Sequence, residues 1–460
     1  MSNSFLSLFL SIHLSLLSLL PYISCEEGTI KFAFEIFRHG ARAPFSGVID
    51  GKDCYGYPWP GLSELSDVGK RMHYLLGAHN RKRYVGSLLS QSYTQSEINV
   101  ISTDINRTLE SVSSQLQGLY PSGTGPKIAE KVRDTARPPN EKYLDVIKEA
   151  EGALDLNALP NQIDLIPIHT FDFKKHTFQL HDWHLCPGAA KSYQDSMNRQ
   201  EIKDFMKNLT EKYGDKLITF EKDKTNKTFL YDYWTTYKYM DSFIADYVNG
   251  ETMQPLLDLG INIEEFKEYA LKFLNLDYLG TNFNNKELSI VSMTHTMRDI
   301  ITYMDNIINN DSSIHYKPKF VMYSAHDTTI GAFEVFNELV FGSKVDYARF
   351  AENCFYELYT KDDKYYVRYI NGDVVKFENK PYAEFKEKIL KTIYTDEQIN
   401  AYCDFNGDNW KKGFIVSTFV LIGVVILLVV LVVIGIIRRK KSVNVMVGEL
   451  SPEPLVDNHV

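Results

Sequence analysis

The sequence predicts a mixed α/β sheet flanked by helices, interrupted by a helical cap and followed by one C-terminal transmembrane helix. Three observations carry this expectation. Three strand-like runs, Ile30–Phe37, Ile98–Ile101 and Lys319–Tyr323, are rich in β-branched and aromatic residues, and each ends in a polar tip. A long helix-patterned stretch rich in Lys, Glu, Tyr and Phe separates the second run from the third. Near the C-terminus, residues 413–437 carry no charge at all.

Taken in order, the chain opens with an apolar run, Phe5–Leu20, that is short for a bilayer span and reads as the core of a signal peptide cleaved near Ser24 or Cys25. The first strand runs into Arg38-His39-Gly40-Ala41-Arg42-Ala43-Pro44, where Gly40 is expected to let the backbone turn sharply. After a Gly/Pro/Tyr-rich connection, Leu65, Val68, Met72, Leu75 and Leu76 recur at helical spacing. That helix ends in Arg81-Lys82-Arg83, read as a solvated end. The second strand leads to Thr103 or Asp104 as an N-cap and to a helix whose first turn holds Arg107. A cation there opposes the helix dipole unless an anion is near. Ile163–Phe171 reads as a further strand, and residues 187–304 as the helical cap. The third strand ends in His326-Asp327, where Asp327 could equally be a helix cap. Phe355–Val375 alternates like a hairpin closing one sheet edge.

The expected organisation is therefore a signal peptide (1–25), a first part of the catalytic core (26–186), the cap (187–304), a second part of the core (305–410), a transmembrane helix (413–437) and a tail (438–460). At roughly 1.5 Å per residue the apolar span crosses a membrane with some tilt. Arg438, Arg439, Lys440 and Lys441 follow it, which places the tail in the cytosol and the rest in a lumen or outside the cell, as a single-pass type I protein. Cys54, Cys186, Cys354 and Cys403 suit an oxidising compartment. Sequons stand at Asn106, Asn208, Asn226 and Asn310. A glycan on Asn106 conflicts with a functional Arg107 beside it. The net charge of −9 speaks against nucleic acid as the main partner. His176, His181 and His184 cluster around Trp183, but their spacing matches no zinc motif, and no metal or other cofactor is expected.

If the three strands are neighbours, Arg38, His39, Arg42, Arg107, His326 and Asp327 converge. That set suits phosphoryl transfer without a metal. The arginines and His326 neutralise phosphate oxygens. A neutral His39, its pKa pushed down by the arginines, attacks phosphorus, and Asp327 exchanges protons with the leaving alcohol and with water. An acid that starts protonated predicts an acidic optimum.

The loop at Arg38–Pro44 resembles, together with Ser102-Thr103-Asp104, Arg107-Thr108, Gly118-Leu119-Tyr120-Pro121 and Tyr323-Ser324-Ala325-His326-Asp327-Thr328-Thr329, the histidine acid phosphatases, most of all their membrane-anchored lysosomal and prostatic types. The likeness spans about residues 28 to 403. It implies an α/β core with a helical cap, and hydrolysis of phosphomonoesters through a phosphohistidine. It also implies His39 as nucleophile, Asp327 as proton donor, and Arg38, Arg42, Arg107 and His326 as phosphate ligands. A phytase or inositol-polyphosphate phosphatase, or a catalytically silent ectodomain, are the competing readings. By position in the family, Cys186 and Cys403 resemble one disulfide pair. Cys354 resembles half of another whose partner is missing, Cys54 stands in an unusual place, and the pairing of these two stays open, with a Cys54–Cys354 bridge as one guess. The tail lacks a tyrosine-based sorting signal, so a lysosomal or endosomal membrane and the plasma membrane both stay open, as does the oligomeric state, with a homodimer allowed.

Overall fold

The computed structural model describes residues 28–403, apart from 140–143, 172–175, 178–185, 223, 224, 226, 285, 315 and 347. The expected signal peptide, transmembrane helix and tail lie outside the described residues, as do His181, Trp183, His184 and the sequon at Asn226. No helix among the described residues is long and apolar enough to cross a membrane.

Seven strands form one mixed sheet: β1 (Thr29–Arg38), β2 (Ile98–Ser102), β3 (His169–Thr170), β4 (Phe320–Ala325), β5 (Asn353–Lys361), β6 (Lys364–Asn371) and β7 (Val374–Pro381). Their spatial order is β3-β2-β4-β1-β5-β6-β7. The first four in that order run parallel, and β5 to β7 form the expected antiparallel edge. The helices are α1 (Asp67–Tyr84), α2 (Asn106–Leu119), α3 (Leu144–Gly152), α4 (Pro187–Met197), α5 (Gln200–Leu217), α6 (Tyr233–Val248), α7 (Gln254–Asp258), α8 (Ile263–Asn284), α9 (Lys286–Asn309), α10 (Asp327–Phe341), α11 (Tyr382–Thr392) and α12 (Asp396–Cys403).

Strand β1 is buried on both faces, as its apolar run requires. Phe32, Phe34 and Ile36 face one way, into a core shared with Met293, Met297 and Ile300 of α9 and Phe333 and Phe336 of α10. Ala33 and Phe37 face the other way, against Tyr84 of α1 and Val112 and Leu116 of α2. A third apolar cluster, from Ile202 to Leu274 with Tyr55, lies within the inserted helices. The Cys186–Cys403 disulfide is present and ties the start of α4 to the end of α12.

Four local expectations are overturned. Ile163–Phe171 pairs only at His169–Thr170, because Pro167 inside it has no N–H to give a ladder. The basic end of α1 is not simply solvated. Arg83 donates from Nε and Nη2 to the two oxygens of the buried Glu357, at 2.6 and 2.9 Å. Cys54 and Cys354 are free thiols. Cys354 sits in the sheet core, where its thiol donates to Glu334 Oε1 at 3.6 Å, whereas Cys54 packs against the helical cluster. Thr103 and Asp104 do not cap α2, whose cap position is Ile105 with no side-chain bond.

The interior also holds carboxyl groups that favour a proton. Glu35 of β1 accepts from Asn80, Gln115 and Asn353, yet its burial, only partly offset by those amides, raises its pKa to about 7. Glu334 is raised to about 7, chiefly by burial. Asp246 is raised to about 10 by burial and by sharing a hydrogen bond with Asp53. A carboxyl whose folded pKa exceeds the unfolded one adds stability as pH falls through the folded value. Opposing this, burial lowers His73 to about 4, so its contribution to stability is lost as pH falls below the unfolded value of 6.5. The melting temperature should therefore be higher near about pH 6 than near about pH 8.5. Glu35→Gln, which keeps the shape without a titrating group, should shrink that difference in paired thermal melts, and an unchanged difference would show that Glu35 does not titrate there.

Candidate active site

Register brings the three tips together. Arg38 pairs with Ala325 across β1–β4, and Ser102 pairs with Ser324 across β2–β4, so His39, His326 and Thr103 follow side by side at the carboxyl ends of parallel strands. All six residues singled out in the sequence meet here.

The turn after β1 is held by backbone. His39 N–H donates to Ala325 O at 3.0 Å, Ala351 N–H donates to His39 O at 3.1 Å, and Gly40 N–H donates to Ser111 Oγ at 3.1 Å. Gly40 does not take the left-handed conformation that a sharp turn would need. Its requirement is closeness. A Cβ on Gly40 would lie 2.5 Å from Gly69 O of α1, and one on Gly69 would lie 2.1 Å from Ala41 O. Helix α1, capped by Ser66, whose Oγ accepts from Gly69 N–H, thus forms the floor of the loop.

His39 is buried, and its Nδ1 lies 2.9 Å from Gly40 O. A carbonyl only accepts, so the ring proton is on Nδ1 and Nε2 carries the lone pair. Burial first, then the charges of Arg107, Arg38, Arg42 and His326, hold its pKa well below 6.5. His326 is read the same way. Arg107 Nη2 donates to its Nδ1 at 3.2 Å, so Nε2–H donates to Thr103 Oγ1 at 2.9 Å. Thr103 passes this on to Thr108 Oγ1 at 2.8 Å, which ends on Ile105 O at 2.8 Å.

The cations are largely matched. Arg38 Nη2 lies 2.6 Å from Asp327 Oδ2, and its Nη1 donates to Ala348 O at 2.7 Å. Asp327 is the first residue of α10 rather than its cap, and its Oδ1 accepts from Thr328 N–H at 2.8 Å. Arg42 makes a two-pronged ion pair with Asp241 of α6. Among the described residues Arg107 forms no ion pair with a carboxylate, although Asp327 lies near enough to act on its charge. It touches Ser63 Oγ at 3.3 Å and His326, and burial together with Arg42 lowers its pKa to about 10. The Phe350 ring lies under the arginines, 4.2 Å from the Arg38 guanidinium and 5.7 Å from that of Arg42.

Beside Arg42 the wall is aromatic. Phe45 meets Tyr237 edge-on at 6.1 Å, and Tyr237 meets Trp234 at 6.0 Å. Behind them Tyr233 donates to Asp277, whose pKa is raised to about 7 by burial. His176, His295 and Arg298 are held by hydrogen bonds and ion pairs to residues other than the six that meet at the strand tips. His176 Nε2 contacts Asp299 at 3.0 Å, Thr177 N–H donates to His295 Nδ1 at 3.1 Å, and Arg298 Nη1 donates to Asp396 at 2.5 Å.

Thr103, Ser63, Asp241 and Phe350 were missed as site residues. Thr103 had a signal, since it stands at a strand tip in the same motif as Arg107. Asp241 and Phe350 had none, being an acid on a patterned helix and a lone aromatic in a loop.

A family model for the histidine phosphatase superfamily (branch 2) matches residues 29–371. The chain belongs to that superfamily. It is 26% identical to prostatic acid phosphatase of Bos taurus over 388 residues, covering 81% of this chain and 86% of that one. It is 27% identical to lysosomal acid phosphatase of Xenopus laevis over 364 residues, 75% of this chain and 69% of that one. A 111-residue stretch is 40% identical to testicular acid phosphatase of Homo sapiens, covering 24% of this chain and 26% of that one. Among solved structures, a phytase from Citrobacter braakii has the same fold, with a TM-score of 0.55 at 13% identity, covering 80% of this chain and 98% of that one.

Gly69→Ala tests the floor. Its methyl must push the loop away, and a displacement of about 1 Å at a reacting group costs about 100-fold in rate. Phosphatase kcat/KM should fall by that order while the protein still folds, with overpacking costing about 1–3 kcal/mol in a denaturant melt.

Proposed function

We propose that this member of the histidine phosphatase superfamily is an acid phosphatase that hydrolyses phosphate monoesters through a phosphohistidine on His39. The observation that carries the reading is a buried, unprotonated Nε2 on His39 amid Arg38, Arg42 and Arg107, with Asp327 held 2.6 Å from Arg38. The guanidiniums bind the phosphate oxygens and spread the charge of the transition state. His39 Nε2 attacks phosphorus in line, forming the N–P bond as the ester P–O bond breaks. Asp327 gives its proton to the leaving oxygen, then as a carboxylate takes one from the water that hydrolyses the phosphohistidine. His326 steers Arg107 by accepting from it.

The depressed His39 pKa explains why the reaction suits acid. A histidine of ordinary pKa is mostly protonated below about pH 6.5 and cannot attack. This one stays a free base well below that point.

The aromatic wall of Phe45, Tyr237 and Trp234 favours a single phosphate on an organic group over a polyanion such as an inositol polyphosphate, which calls for further cations at the rim. The relatives named for acid phosphatase activity support the same choice. The disulfide and the relatives' lysosomal and prostatic names support a lumenal or extracellular catalytic part. Anchoring by residues 413–437 completes this reading.

Three measurements on the segment 26–410 test it. A generic aryl phosphate should be cleaved far faster than phytate at acidic pH, with EDTA having no effect. His39→Ala should abolish trapping of a phosphorylated enzyme, and retained turnover would remove His39 as nucleophile. Asp327→Asn should lose about 10²–10⁴-fold on alkyl phosphates. Its loss on an activated aryl phosphate should be much smaller, and equal losses would reduce Asp327 to a structural partner of Arg38.

A further inference from the structure

We propose that Asp241 is a positioning residue that sets the orientation of Arg42 for phosphate and couples it to the pocket rim; this rests on Arg42 being a phosphate ligand. Asp241 lies on α6, in the inserted helices, and is buried. Its Oδ1 accepts from Arg42 Nη2 at 2.8 Å. Its Oδ2 accepts from Arg42 Nη1 at 3.1 Å and from Phe45 N–H at 2.6 Å. Arg42 Nη1 also donates to Ala43 O at 2.9 Å.

The geometry goes beyond neutralising a charge. An arginine has four single bonds between backbone and guanidinium, and a fork-on-fork pair fixes the plane of the group as well as its distance. The two arms that Asp241 engages are the ones a phosphate would otherwise draw round, so the carboxylate decides which N–H bonds remain to face the cradle. Asp327 pairs with Arg38 at one contact and must be released to move a proton. Asp241 grips Arg42 at two contacts and is engaged by Phe45 as well, so it stays. The same carboxylate anchors the backbone of Phe45, the outer residue of the aromatic wall, and Tyr237, one turn earlier on α6, packs on the Phe45 ring. One side chain therefore registers the phosphate loop, the rim and the inserted helices to each other.

The test is a double-mutant cycle on the full-length protein, read as kcat/KM for an aryl phosphate and as competitive inhibition by inorganic phosphate. Asp241→Asn keeps the volume and removes the charge. It should lower kcat/KM by about 100-fold, the order expected for a misplaced binding group, and weaken inhibition by phosphate. In an Arg42→Ala background the same substitution should cost nothing further. Asp241→Glu, larger but still charged, should be more active than Asp241→Asn. A packing role predicts the reverse order, with equal losses in both backgrounds, and either result would overturn the proposal. Should Asp241→Asn fail to fold, the comparison of Asp241→Glu with Asp241→Glu/Arg42→Ala carries the same cycle. An Arg42→Ala enzyme with unchanged kcat/KM would instead refute the reading of Arg42 as a phosphate ligand. A loss in Arg42→Ala with no loss in Asp241→Asn would sink the Asp241 inference alone.

Discussion

The site depends on one constraint: a histidine must stay uncharged and fixed while three guanidiniums surround it. Burial and the positive field keep the second proton off His39, and the Gly40 carbonyl decides which nitrogen keeps the first. Each supporting feature serves that arrangement. Backbone bonds from Ala325 and Ala351 fix the residue, and the near-contact of Gly40 with Gly69 leaves the loop no room to drift. A protonated His39 would be repelled by its neighbours, so in the proposed mechanism the field that binds the substrate would also prepare the nucleophile.

Concentrating three arginines in a buried cleft costs free energy unless the charge is answered. The chain answers it locally and unevenly. Arg38 has Asp327 and Arg42 has Asp241, while among the described residues Arg107 hydrogen-bonds to Ser63 and His326 and feels Asp327 only at a distance. In the proposed mechanism a phosphate would meet one cation without a direct carboxylate contact among the described residues and two held in place by carboxylates. The Phe350 ring adds a polarisable floor beneath two of the three. Arg107 can accept this position because its helix starts at the cleft, where an anion is favoured by the same helix end that disfavours the cation.

Much of this was legible in the sequence because it is written locally. Strand, polar tip and helix repeat three times, and Arg38, His39, Arg107, His326 and Asp327 each stand at a tip whose position follows from hydrophobic period. The mixed sheet and its antiparallel edge follow from the same patterns. What failed, failed for want of local signal. Nothing near Asp241 tells an ion-pairing acid from a solvated one on a patterned helix. Cys54 and Cys354 were an even pair by count but lie in different cores. Thr103 looked like a cap because threonine before a helix usually is one, but its hydroxyl was taken by His326. Pro167 broke a strand whose apolar run was otherwise convincing.

The pairing of β1 with β4 has a consequence for the order of events in synthesis. The Arg38 side chain reaches Ala348 across 310 residues, and the neighbour that fixes the His39 backbone is Ala325. Parallel pairings of such long range form late, since the loop must close before contacts repay it. A nascent chain that has emitted the arginine loop but not the third strand therefore has neither the proposed acid, Asp327, nor its frame. Hydrolytic competence arrives only when nearly the whole catalytic part has been made, so the topology itself keeps an unfinished molecule from acting on phosphate esters.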